Sequence, residues 1–508
     1  MGAGWWRNTH IFHKILRKSD FVLAPGQPVS IKTESDETAS WYFYDAAKSE
    51  LCQIQPDSYL FLQRLLDGDV VSEPPDELVH LAEMGYLTSE SPVEELCHPY
   101  SRYLPQFLDR NLRQLILQVT QSCNFRCKYC IYSETSSARQ RHHSAKHMTW
   151  DMAKRAVDFL WEHSIDSRMV SISFYGGEPL LQFPLVQRVI QYSKARFVGK
   201  KLTFNMTTNG TLLTDDIIRY LAEHEVSLMI SIDGPREIND ANRVFANGQG
   251  TFDTVMGRIR RIHELEPEYA QHVHFSMVID PTNDFDCINS VCVDYDVVHR
   301  GGLNAAIVDK EYDDEETRFS STYIEKYQYQ MFLSYLSYWG KYPKERISPI
   351  TYQALANAMD KVSRAEEPDG LQRIDVPSGP CVPGKMRVFV NVEGRFFPCE
   401  RVSETSPAMC IGSLETGFDL ENAERLLNFA NITSERCKRC WCFRHCTLCA
   451  KKADTGEAQL SPTQKLKYCQ EAKGIAYREI QNCLLMREIY QFYPGQVRGG
   501  KDREVSGL

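Results

Sequence analysis

Three cysteines sit in the compact run Gln118-Val-Thr-Gln-Ser-Cys-Asn-Phe-Arg-Cys-Lys-Tyr-Cys130, a C-x3-C-x2-C spacing directly behind a strand-like segment from Arg113 to Thr120. Iron–sulfur clusters are held by cysteine thiolates, usually four, so a cubane bound only by Cys123, Cys127 and Cys130 keeps one iron free for a small ligand. Taken alone, three cysteines also allow a zinc knuckle or an incomplete disulfide set. A second field lies toward the carboxyl end: Cys381, Gly394 and Cys399, then Cys437-x2-Cys440-x5-Cys446-x2-Cys449 with Cys442 inside the run, and finally Cys469. Paired C-x2-C is a zinc signature as well, so structural zinc is the alternative there too.

The chain has 508 residues and 17 cysteines, with 43% hydrophobic and 25% charged residues. That length calls for more than one domain. No run approaches the ~18 apolar residues of a membrane span, and the first residues do not form a secretory signal. The expected setting is therefore a reducing cytoplasm, where clustered cysteines serve as metal ligands more often than as disulfides. A net charge of -9 argues against a general nucleic-acid binder, which would need a basic surface.

The elements that must position the cysteines alternate from Arg113 onward. Strands are expected at 113–120, 170–175, 201–208, 227–233, 272–279 and 304–309, and helices near 150–163, 183–198, 214–223, 252–264 and 284–297. Six βα repeats imply a parallel barrel or barrel fragment, whose chemistry lies at the carboxyl ends of the strands. Cys123 follows the first strand, Tyr175-Gly-Gly-Glu-Pro179 ends the second, Thr207-Thr-Asn-Gly210 the third and Ser231-Ile-Asp-Gly-Pro235 the fourth. Residues 19–55 show strand-like runs at Phe21–Ala24, Val29–Thr33 and Trp41–Tyr44, followed by two short helices that stop near Gly68 and Gly85. Residues 310–375 read as helical and aromatic.

The cysteine spacing, with Tyr129 before the third cysteine, resembles the radical S-adenosylmethionine (SAM) superfamily. The resemblance implies a partial (β/α)6 TIM-like barrel, SAM chelated by the open iron, and reductive cleavage to a 5′-deoxyadenosyl radical. Gly176 and Gly177 let backbone approach a ligand closely, and Glu178-Pro179 fixes carbonyls that can accept from the SAM ammonium. Thr207, Asn209, Ser231 and Asp233 suit the ribose and its surroundings, and Arg243 suits the SAM carboxylate. The carboxyl-terminal field resembles the SPASM domain. Position by position it implies one auxiliary cluster on Cys381, Cys399 and Cys449 and another on Cys437, Cys440, Cys446 and Cys469. The last gap is one residue shorter than the usual pattern. Cys410 or Cys442 is the internal candidate to complete the first set; otherwise a substrate thiol could take the place.

The order of elements in the first hundred residues looks like a winged-helix-like precursor-recognition domain, in which a leader peptide adds a strand. Ten acidic residues against the single Arg64 in residues 51–100 disfavour the DNA-binding version. The expected organisation is thus α/β: 1–105 precursor recognition, 106–310 radical SAM barrel, 311–375 a helical bridge, 376–475 SPASM, and 476–508 a helix and tail. Three [4Fe–4S] clusters and SAM are the expected cofactors. A precursor peptide and a reductase or flavodoxin-type electron donor are the expected partners, with no nucleic acid and no membrane. The whole resembles maturases of sactipeptides and ranthipeptides, which form cysteine thioethers. Alternatives are an anaerobic sulfatase maturase that makes formylglycine, a carbon–carbon cross-linking maturase, and a non-enzymatic iron–sulfur electron carrier. Sulfatase maturases carry an Asp base after the cysteine matching Cys399; Glu400 stands here, as a candidate base one methylene longer.

Overall fold

The computed structural model describes residues 21–25, 40–69, 73–88, 91–133, 140–299, 301–308, 317–365 and 370–492. Its strands are β1 (Phe21–Pro25), β2 (Trp41–Asp45), β3 (Glu50–Ile54), β4 (Glu95–Leu96), β5 (Gln114–Thr120), β6 (Met169–Gly176), β7 (Lys201–Thr208), β8 (Val226–Ser231), β9 (Val273–Ile279), β10 (Gly302–Ile307), β11 (Ile374–Asp375), β12 (Val388–Val390), β13 (Arg395–Phe397), β14 (Gly412–Ser413) and β15 (Gly417–Phe418). β5 to β10 lie side by side in chain order and all run parallel. Helices Trp150–Glu162, Phe183–Arg196, Asp215–Glu223, Phe252–Leu265 and Phe285–Asp294 connect them. The α/β fold and its run of parallel strands are as expected, with strand ends within two residues of the sequence reading.

A parallel sheet covered on both faces reads as near-continuous apolar runs. This one does not. Along β8 and β9 every second residue (Val226, Leu228 and Ile230; Val273, Phe275, Met277 and Ile279) is buried in the main core. Ser227, Ser231, His274 and Ser276, between them, are only half-buried. One face is therefore packed and the other is polar and partly open.

The sequence reading did not foresee how the sheet continues. β12 pairs parallel with the free edge of β5, and β13, β14 and β15 follow as an antiparallel meander, so ten strands form one sheet. Cys399, two residues beyond β13, is thereby tied to the edge of the parallel strands that also leads into Cys123.

β1, β2 and β3 make a separate antiparallel sheet followed by helices Pro56–Asp67 and Asp76–Glu83. Pro56 suits a first helical turn, and Gly68 ends that helix at φ 87°, the left-handed conformation glycine adopts without penalty. Phe43 and Ile54 pack on Leu62, Leu65 and Leu78. Tyr42 and Tyr44 point the other way, onto Ile480 and Leu484 of helix Cys469–Phe492. Val93 and Leu96 pack with Leu371, Val376 and Phe443. The first hundred residues thus share cores with the cysteine-rich region and do not stand apart from it. Ile374–Asp375 departs from the expected helical stretch: it pairs with β4. The expected strand Val29–Thr33 lies outside the described residues. No helix among them is long and apolar enough to cross a membrane.

Candidate functional site

The loop that carries Cys123, Cys127 and Cys130 is pinned on two sides by backbone. Gly177 and Glu178 donate their N–H groups to the carbonyls of Thr120 and Ser122, each at 2.9 Å. A Cβ on Gly176 would meet Thr120 O at 2.2 Å, and one on Gly177 would meet Ser122 O at 2.2 Å. Only glycine permits that approach, and Gly176 also has φ 144°. Opposite, Arg126 and Lys128 donate to the carbonyls of Val244 and Asn242 at 2.8 and 3.0 Å. The Phe125 N–H donates to Cys123 Sγ at 3.4 Å.

Several expected ligand contacts prove to be occupied within the protein. The buried Glu178 carboxylate accepts from Leu180 N, Thr208 Oγ1 and Asn209 N at 3.0, 2.7 and 2.8 Å, which ties the second strand end to the third. Pro179 opens the short turn Pro179–Gln182. The Asn209 amide donates to Asn124 Oδ1 at 2.8 Å. Tyr129 donates to Asp233 and accepts from Arg243 Nη1 at 2.7 Å, and Asp233 accepts from Val278 N at 3.1 Å. Tyr129, Glu178, Asn209 and Asp233 therefore position the site. The buried Nε of Arg243 has no hydrogen-bond partner among the described residues, and Thr207 and Ser231 are half-buried. A guanidinium N–H left over beside the cysteine loop suits a carboxylate, as SAM would bring.

Burial, with a smaller contribution from the neighbouring Cys130, pushes Cys123 up to about 12 and Cys127 to about 11. Such thiols become ligands when a bound metal supplies the compensating charge. The three thiols, the glycine cradle and the free guanidinium nitrogen together fit an iron–sulfur cluster with SAM.

The structure also groups the carboxyl-terminal cysteines. Burial, then Glu400, then Cys381 and Cys449 raise Cys399 to about 11. Burial, Cys440 and Cys437 raise Cys446 to about 11, and Cys469 is raised by burial and Cys437. The thiols of each expected set thus act on one another electrostatically. Among the described residues, no three His, Cys, Asp or Glu side chains converge enough to hold a single metal ion. A cubane spreads its thiol ligands over separate irons, so this spacing is compatible with cluster sets. Cys442, expected as a candidate ligand of the Cys381 set, is buried with its thiol 3.7 Å from Ala472 O, and its nearest thiol neighbours are Cys440 and Cys446. Cys410 points to Gly412 O at 3.4 Å.

Glu400 follows Cys399 directly in the chain. Its Oε1 is 3.6 Å from Arg387 and 3.8 Å from Arg401, while Oε2 is buried without a partner. Tyr175 is held above its usual range by burial, then by Glu400 and Cys130, and its ring centroid lies 6.3 Å from that of Phe389. The sequence reading missed a buried cluster on the same side. Arg141 Nε and Gln118 Nε2 donate to Glu404 Oε1 at 2.8 and 2.6 Å, and the Arg141 guanidinium lies 3.8 Å from the centroid of the Tyr132 ring. His143 Nε2 stands 3.8 Å from Cys130 Sγ.

Residues 117–291 match the Radical SAM superfamily. The chain carries a radical SAM domain. A radical SAM cyclopropyl synthase, TigE, of Paramaledivibacter caminithermalis is 23% identical over 287 residues, 52% of this chain and 59% of that one. A cysteine-type anaerobic sulfatase-maturating enzyme of Clostridium novyi is 27% identical over 163 residues, 32% of this chain and 42% of that one. The chain spans about half the length of these curated relatives. Among solved structures, native anSMEcpe with bound AdoMet superposes with a TM-score of 0.52 at 20% identity, over 73% of this chain and 99% of that one, a likeness of fold.

Proposed function

We propose that this radical SAM domain serves a maturase of a ribosomally made peptide, and that the product is a thioether between a cysteine sulfur and a carbon of another residue. The observation that carries this reading is the buried contact between the two cysteine regions: Glu404, five residues after Cys399, accepts from Gln118 and Arg141. Cys399 has Cys381 and Cys449 as thiol neighbours, and a cubane held by these three would keep one iron for an outside ligand. When bound, SAM and the cluster at Cys123, Cys127 and Cys130 supply a 5′-deoxyadenosyl radical. Arg243 and the hydroxyls of Thr207 and Ser231 orient SAM, while the Gly176–Gly177 backbone presses against the loop. Glu400 Oε2 is the base that takes a substrate proton.

The leader of the precursor adds to β3, one of the two edge strands of the first sheet, β1 being the other. A reducing cytoplasm and a reductase or flavodoxin-type donor suit this chemistry. Glu400 also favours a second reading, oxidation of a cysteine or serine to formylglycine, because a carboxylate with one free buried oxygen is what that reaction asks of a base. The experiment is anaerobic reconstitution with SAM and the peptide encoded beside this chain's gene. Loss of two hydrogens together with loss of the alkylatable thiol supports the thioether. An aldehyde on the peptide replaces it with the second reading, and 5′-deoxyadenosine without any peptide change overturns both.

A further inference from the structure

The short helix Pro462–Lys467 carries Lys465 into the Cys437 set. This lysine is 2% exposed. An ammonium has three donors and no acceptor, and here each donor has a partner: Thr433 Oγ1 at 2.7 Å, Ala430 O at 3.4 Å and Cys437 Sγ at 3.4 Å. The cation also lies 4.7 Å from the centroid of the Phe429 ring. None of these partners is a carboxylate, and Lys465 enters no ion pair among the described residues. A buried ammonium is costly without a counter-charge. Cys437 sulfur is the one acceptor of the three that can carry it. Lys465 also acts on Cys446 and Cys469, so its charge reaches three of the four thiols.

We propose that Lys465 is a fixed cation, hydrogen-bonded to Cys437, that raises the reduction potential of the cluster held by Cys437, Cys440, Cys446 and Cys469. The proposal rests on the reading of those cysteines as cluster ligands. Cluster potentials follow net charge and hydrogen bonds to the sulfurs, and an added electron is stabilised by a nearby positive charge. At the Cys381 set the first charged neighbour of Cys399 is Glu400, itself paired with Arg387 and Arg401.

The test uses the whole reconstituted chain, with iron counted and each cluster followed by EPR during a redox titration. Lys465→Gln should keep the iron and shift the reduced-to-oxidised ratio of one cluster about tenfold toward oxidised at fixed potential, ~59 mV for a one-electron couple. Lys465→Arg should restore most of that shift. A Lys465→Gln variant with full iron and an unchanged midpoint overturns the proposal. Should that variant take up no iron at this site, wild-type protein decides: ENDOR must show an exchangeable proton coupled to this cluster and retained in Lys465→Arg, and its absence overturns the proposal. Iron for a single cluster in the wild type overturns the underlying ligand reading, a failure that the iron count separates from the others.

Discussion

The two carboxyl-terminal cysteine sets differ in the charges beside them: the first has Glu400 with Arg387, the second has Lys465. Cys399 has the carboxylate of Glu400 beside it and only two thiol neighbours, Cys381 and Cys449, of which Cys381 is exposed. Cys469 and Cys446 have Lys465 beside them, Cys469 has Lys473 and Arg436 as well, and four thiols close that set. On the proposed account the first set serves the substrate and the second serves electrons. Charge and completeness, more than cysteine count, divide the two tasks.

The sharpest way to break this comparison is to remove one ligand from each set. Cys399→Ala should abolish peptide modification and leave SAM cleavage without peptide intact, while Cys440→Ala should remove a different EPR signal. Loss of the same signal in both variants would merge the two sets into one. A smaller effect is expected where the loop is only crowded. Gly177→Ala forces a Cβ against Ser122 O at 2.2 Å, so 5′-deoxyadenosine formation should fall about tenfold or more, ~1.4 kcal/mol in the barrier. Unchanged turnover would show that the close approach is dispensable.

Cys442→Ala sharpens the comparison from the other side. Its thiol is buried against Ala472 O, so the variant should lose ~1 kcal/mol of stability in thermal unfolding and no iron. Loss of a cluster would make Cys442 a ligand after all. The smallest effect lies outside both sets. Burial alone would raise Asp158, but its bonds with Lys154, Tyr192 and Arg196 win and hold it below the usual 3.8. The stability this network contributes is present above that value and is lost as pH falls through and below it. Asp158→Asn should therefore cost ~1 kcal/mol at neutral pH and less in acid; a cost that does not vary with pH would contradict the assignment.

Much of the barrel was legible because its signals are local. Strand period, the glycine pair and polar residues at strand ends lie within a few residues of one another, so Cys123, Gly176, Asn209 and Asp233 could be placed before any coordinates. What those side chains touch was less legible: the Glu178 carboxylate is bonded to Leu180, Thr208 and Asn209, and that of Asp233 to Tyr129 and Val278. Long-range partners left no trace. Glu404 is 286 residues from Gln118 and 263 from Arg141, and Lys465 is 28 from Cys437. The same holds for β12, whose three residues show no sign of the strand edge they join.

The most direct test of the division between the sets is EPR of the reconstituted chain with and without the precursor peptide, each signal assigned beforehand through Cys399→Ala and Cys440→Ala. The account predicts that the peptide changes the signal lost in Cys399→Ala and leaves the signal lost in Cys440→Ala as it was. A change confined to the Cys440 signal, or no change in either, would contradict it.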